Sequence, residues 1–149
     1  MSSIQAERVA IDTNEFIFAL RDKPPHPFSK ILVFSKLPEL NLYMPFQVLA
    51  ELQRNLIAQD MRRIFLLLRQ AKSIQWDYTL PDAKVVAKWK SRGAKKGDAV
   101  ITASLEIAGV QYLISENRHF LSEISDLPFQ VLSSEAAIYA LGSVSEKNS

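Results

Sequence analysis

The sequence predicts an α/β domain built on a parallel sheet. Short β-rich runs alternate along the chain with stretches of helical periodicity, the pattern of strands joined by crossover helices. Proline and glycine punctuate the boundaries between them. The 149 residues, 48% of them hydrophobic, suit one domain with a substantial core.

Taken in order, Arg8 to Ile11 reads as a buried strand ending at Asp12, and a short helix follows. Pro24-Pro25-His26-Pro27 breaks the chain before a helix from Phe28 to about Lys36. Leu42-Tyr43-Met44 is the second strand, and Pro45 turns the chain into a helix through Leu56. The next helix, Met61 to Ala71, holds Ile64-Phe65-Leu66-Leu67-Leu68. That run exceeds what one core-facing stripe requires, so part of it is expected to meet a partner or a second copy, which favours a homodimer. Ser73 to Trp76 is a strand; Pro81-Asp82 starts a helix that stops near Arg92-Gly93. Gly97-Asp98 opens a helix closed by Gly109, and Gln111 to Ile114 and Phe129 to Leu132 are the last strands. Ser133-Ser134-Glu135 caps a helix from Ala136 to Leu141, and the polar tail 142–149 is expected to be loose.

Composition narrows the chemistry. The absence of cysteine excludes disulfides, thiolate catalysis and cysteine-ligated zinc, and two histidines, His26 and His119, cannot make a multi-histidine metal site. Any metal would need oxygen ligands, which points to magnesium or manganese. The net charge of +2 and a charged share of 23% are ordinary. From Lys84 to Lys96, however, six basic residues run without an acid, either as a solvated helix face or as a phosphate track. The N-terminus lacks signal-peptide regions and no apolar run approaches the roughly 18 residues of a membrane span, so a soluble cytoplasmic protein is expected.

Four places carry candidate chemistry. Asp12, followed by Thr13 and Asn14, stands at the carboxyl end of a strand, where parallel sheets bind ligands; as a plain helix cap it would need no function. Glu51 lies at the border of the Val48/Leu52/Leu56 stripe, able to face the core's edge or water. Asp98 heads the Ile101/Leu105 face, so its carboxylate sits on the core side, a position with a desolvation cost unless a cation or donor awaits it. Ser115-Glu116-Asn117 follows another strand at the same sheet edge. Separately each has a structural explanation; jointly they suggest a cation site.

Read together, Val9-Ala10-Ile11-Asp12-Thr13-Asn14, Pro45 to Leu52, Lys96 to Ile101 and Leu113 to Phe120 resemble the PIN-domain family across roughly residues 7 to 141, in its toxin-like, VapC-like single-domain form. The resemblance implies a three-layer α/β/α fold with a central parallel five-stranded sheet. It also implies metal-dependent hydrolysis of phosphodiester bonds, usually in RNA, and an antitoxin as partner. Asp12, Glu51 and Asp98 match acidic metal-site positions, Asn14 the polar residue after the first acid, and Ser115 the hydroxyl before the fourth position. The chain departs from the family by carrying Asn117 and His119 where aspartates are often found, with Glu116 as a possible substitute charge. Three carboxylates suit one Mg²⁺ or Mn²⁺; a second ion is expected only when substrate phosphate adds its charge.

On this reading Asn14 and Ser115 orient ligands, and Lys95, Lys96 and Arg118 hold flanking phosphates unless they are simply solvated. His119 is either a general acid or a loop residue packed beside Phe120, and Trp76, Trp89 and Tyr78 either stack on bases or pack. Two other readings stand beside the nuclease: a PIN-like module that binds RNA or protein without cutting, and a phosphoaspartyl enzyme using Asp12. The second lacks a neighbouring acid in its loop.

Overall fold

Five strands, each parallel to its neighbours, form one sheet among the described residues. The computed structural model describes residues 3–148, and side chains through residue 142. The strands are β1 (Arg8–Ile11), β2 (Asn41–Met44), β3 (Ser73–Trp76), β4 (Tyr112–Ile114) and β5 (Gln130–Leu132), in the order β3-β2-β1-β4-β5 across the sheet. The helices are α1 (Thr13–Leu20), α2 (Pro27–Ile31), α3 (Phe46–Asn55), α4 (Ala58–Leu68), α5 (Ala83–Ser91), α6 (Lys96–Ala108) and α7 (Ser134–Asn148). They flank the sheet in a three-layer α/β/α sandwich, the fold class expected from sequence.

Strand β1 is the centre of the sheet, and Val9, Ala10 and Ile11 are each at most 1% exposed, as a strand covered on both faces requires. The chain first winds outward from β1 to β2 and β3, then returns to lay β4 against the other side of β1. The order therefore reverses between β1 and β4, and a crevice opens beyond their carboxyl ends. Register places Ile11 opposite Ile114, so Asp12 and Ser115 leave the sheet side by side.

The turn chemistry behaves as the sequence predicts. Asp82 caps α5 by accepting from the Lys84 amide, and Ser133 accepts from the Ala136 amide at the start of α7. Gly109 closes α6 with φ 69°, a left-handed backbone that glycine adopts without a Cβ clash.

Three helices have boundaries that differ from expectation by several residues. The helix expected to reach Lys36 loosens after Ile31 into a π turn (Leu32–Lys36) and a short 3₁₀ turn (Leu37–Glu39). Pro38 explains this, since it has no amide to donate and its ring crowds the carbonyl four residues back. Helix α4 starts at Ala58 and ends at Leu68, three residues early at each end. Helix α7 runs on through Gly142 to Asn148, where a loose tail was expected.

Within α4, Ile64 and Leu68 are fully buried, whereas Phe65 and Leu66 are 40% and 59% exposed. The apolar surplus read from the sequence does face outward. Among the described residues no helix is long and apolar enough to cross a membrane.

Candidate metal centre

Asp12 anchors the crevice. Its backbone amide donates to the Ile114 carbonyl (2.9 Å), extending the β1–β4 ladder by one residue. Its side chain caps α1 by accepting from the Thr13 amide (2.8 Å), and its other oxygen accepts from the Ser115 hydroxyl (2.7 Å). Asp12 is therefore a helix cap placed at the sheet's switch point. Burial pushes its pKa from 3.8 up to about 6, against the pull of the Ser115 and Thr13 hydrogen bonds; the charges of Asp98 and Glu51 add to the rise.

The residues after β4 form a relay of hydrogen bonds. The Ser115 hydroxyl accepts from the Asn117 amide (3.0 Å), the Asn117 side-chain oxygen accepts from the His119 amide (3.0 Å), and the Asn117 side-chain nitrogen donates to Asp98 (3.2 Å). Asn117 is thereby engaged at both ends of its amide, tying the first turn of α6 to the end of β4. Asp98 is half-buried, and burial raises its pKa; Asn117, His119 and Lys95 oppose the rise, and Glu51 adds to it.

Glu51 comes from the middle of α3. One oxygen accepts from the Thr13 hydroxyl and the other from the Gln47 side chain (3.0 Å). It approaches α6 at Gly97, where a Cβ would stand 2.9 Å from its carboxylate oxygen. Gly97→Ala is therefore expected to displace Glu51, the end of a flexible side chain, with little change in melting temperature. If Glu51 takes part in turnover, cleavage should fall about 10- to 100-fold, as misplacement by an ångström does. Wild-type rates in the alanine variant would show that Glu51's position is immaterial.

The three carboxylates thus converge on one sheet edge and sense one another's charge. They are not packed into one ligand shell: among the described residues no three carboxylate or histidine side chains stand close enough to share a cation as they are oriented. Asp98 opens on a cleft of about 320 Å³ shared with Asn14, Phe18, Lys95, Glu116, Asn117 and His119. Glu51 opens on the neighbouring groove, lined also by Gln47, Arg54 and Lys96, with Gly97 between the two. The donor set is nonetheless chemically right for a hard cation. Mutually repelling, partly desolvated carboxylates are held apart here by neutral donors, and a divalent ion would relieve the repulsion.

The basic residues divide. Lys95 and Lys96 are exposed on the two sides of Gly97; Arg118 is exposed and lines neither cleft. Lys88, from the same basic run, pairs with Glu106 (2.7 Å) and is used within the fold. The imidazole of His119 pairs with Glu123 beside the Asp98 cleft.

Glu116, proposed from sequence as an extra ligand, also lines the Asp98 cleft but is drawn toward α7. Its carboxylate accepts from the Ser134 amide at the start of α7 (2.9 Å) and shares a hydrogen bond with Glu15. Glu15 was not singled out from sequence. It is 0% exposed in α1, accepts from the Ser29 hydroxyl (2.6 Å), and leaves its other oxygen without a conventional partner. Burial, then the contact with Glu116, drives the Glu15 pKa well above the usual carboxylate range. Glu15 is thus a neutral acid whose proton serves Glu116. Burial alone would raise Glu116, but the hydrogen bonds from Glu15 and Ser134 outweigh it and its pKa is lowered. Its signal in the sequence was the apolar run around it: a helix reading Phe16-Ile17-Phe18-Ala19-Leu20 is buried nearly all round, and an acid inside it is buried too.

No family model matches the chain, nor does any curated protein. Solved structures do share its fold. One is VapBC2 from Rickettsia felis, bound to a DNA fragment from its promoter, with a TM-score of 0.56 at 14% identity over 85% of this chain and 98% of that one. Another is FitAcB from Neisseria gonorrhoeae, with a TM-score of 0.56 at 17% identity over the same shares. The expected PIN-like fold is the fold observed.

Proposed function

We propose that the chain is a magnesium- or manganese-dependent endoribonuclease, acting as the toxin of a toxin–antitoxin pair. One observation carries the reading: a buried carboxylate, Asp12, stands at the switch point of a parallel sheet, its pKa raised to about 6 and its charge opposed by Asp98 and Glu51. A helix cap needs neither burial nor two like charges facing it.

Asp12 and Asp98 would hold the cation, with Glu51 joining when it leaves Thr13 and Gln47. When bound, the ion supplies Lewis-acid activation of water and offsets charge on the scissile phosphate. The chain's own residues do the rest. Ser115 holds Asp12 at the sheet edge, and Asn117 holds Asp98, which lines the cleft. Lys95 at the Asp98 cleft, with Lys96 and Arg54 at the Glu51 groove, would take phosphates on either side of the scissile one. For protein partners, the exposed Phe65 and Leu66 supply apolar surface suited to a second copy or an antitoxin.

A second reading, a PIN-like module that binds without cutting, is favoured by Asn117, which removes a charge and has both ends of its amide engaged in hydrogen bonds. A ribonuclease assay with and without Mn²⁺, paired with Asp98→Asn, separates the two. Cleavage that requires Mn²⁺ and disappears in the variant supports the nuclease; an absence of cleavage under every metal condition leaves the binding module.

A further inference from the structure

Of the aromatic rings that the sequence offered for stacking on bases, none stands at the Asp98 cleft. Trp89 is 1% exposed beneath Lys88 and Arg92, Trp76 packs on Phe65 with ring centres 5.7 Å apart, and Tyr78 lines a groove between α3 and α4. The ring that does stand there is Phe18. It lies one turn beyond Asn14 on the same side of α1, and both line the cleft with Asp98, Lys95 and His119.

Phe18 is half-buried, and one face of its ring is held in a stack. His26 stacks on it with centroids 4.0 Å apart and planes 12° from parallel. His26 is fixed in turn, lying between Pro25 and Pro27 with its carbonyl accepting from the Lys30 amide (3.0 Å). A planar ring pre-positioned by a second ring loses little freedom on binding, which is what a stacking platform requires. Around it stand two carboxylates, Asp98 and Glu116, one lysine and three polar side chains, so the cleft presents an aromatic surface within a charged neighbourhood. Its volume of about 320 Å³ suits one nucleotide rather than a base pair.

We propose that Phe18, backed by His26, is the platform on which the nucleobase next to the scissile phosphate stacks, so that the cleft takes single-stranded RNA with that base turned out of its stack. The proposal rests on the nuclease reading of the same cleft. It makes Phe18 a substrate-binding residue and His26 a positioning residue acting through it.

The test uses the full chain, as wild type, Phe18→Leu and Phe18→Trp. The substrates are a short single-stranded RNA with a mapped cleavage site and the same RNA made abasic on either side of that site. Wild type is expected to cleave one of the abasic RNAs roughly 10- to 100-fold more slowly than the intact RNA. Phe18→Leu should lose a similar factor on intact RNA and nothing further on the abasic one, and Phe18→Trp should restore the difference. Phe18→Leu cleaving intact RNA at the wild-type rate, or suffering the abasic penalty in full, would overturn the proposal.

If wild type cleaves no RNA, the nuclease reading fails by itself and binding decides the subsite. The probe is then an RNA oligonucleotide carrying 2-aminopurine, titrated in Ca²⁺. Quenching of its fluorescence by wild type and Phe18→Trp but not by Phe18→Leu supports the platform. Equal quenching by all three proteins, or none by wild type, rejects it.

Discussion

Asp12→Asn is expected to lower metal-dependent cleavage by at least about a hundredfold while leaving the protein as stable as wild type or more so above about pH 6. The two effects have one cause. The folded-state pKa of Asp12 is raised from 3.8 to about 6, so the folded protein retains a proton that the unfolded chain has released. Its contribution is fully present below the unfolded value and is lost as pH rises through the folded one. A rise of about two units corresponds to the order of 2–3 kcal/mol, with one hydrogen bond lost on substitution, worth about 1 kcal/mol, set against it. Thermal melts at about pH 4 and pH 8 should therefore show the advantage of the asparagine only at the higher pH. Added Mg²⁺ should raise the melting temperature of wild type and not of the variant. A variant equally destabilised at both pH values would mean that Asp12 is chiefly a cap.

The second large effect belongs to the Glu15–Glu116 pair. Glu15 is raised from 4.5 by burial and by Glu116, so the stability it brings is greatest in acid and drains away as pH climbs from the ordinary carboxylate range through its raised value. The slope is at most about 1.4 kcal/mol per pH unit for one proton. Glu116 has the opposite sign: its lowered pKa contributes above the unfolded value and is lost only as pH falls. Between about pH 7 and pH 9, above the titration of Asp12, Glu15 is the member of the pair that governs, and the wild-type melting temperature should decline. Glu15→Gln keeps a neutral donor for Glu116 without a proton to lose. It should melt higher than wild type near pH 9, with a nearly flat profile over the same interval. Parallel profiles for the two proteins would show that Glu15 is ionised in the fold and that Glu116 receives no proton from it.

The fold was legible because its signals are local and repeated. Arg8–Ile11 and Asn41–Met44 are short apolar runs ended by Asp12 and Pro45, and Gly109 stops α6 where a left-handed residue is needed. The place of the carboxylates followed from topology, because a parallel sheet whose order reverses beside β1 brings Asp12 and Ser115 together whatever their side chains do. What sequence did not show is where those side chains point. Glu116 and Asn117 are adjacent in the chain, yet one turns to the start of α7 and the other to Asp98. Nothing in the local pattern distinguishes them, because their partners come from distant elements. The closeness of Glu51 to α6 depends on Gly97 having no Cβ, and the Phe18–His26 stack on the path of the proline-rich turn. Contacts between distant segments of this kind carry no periodicity.

The central claim is that Asp12, Glu51 and Asp98 together hold one hard cation, and direct titration of Mn²⁺ followed by its electron paramagnetic resonance signal tests it. The expected result is about one ion per chain in the absence of RNA. Affinity should fall at least about tenfold in each of Asp12→Asn, Glu51→Gln and Asp98→Asn, and stay near wild type in Glu116→Gln. Equal affinity in all five proteins, or no binding at millimolar Mn²⁺, would contradict it.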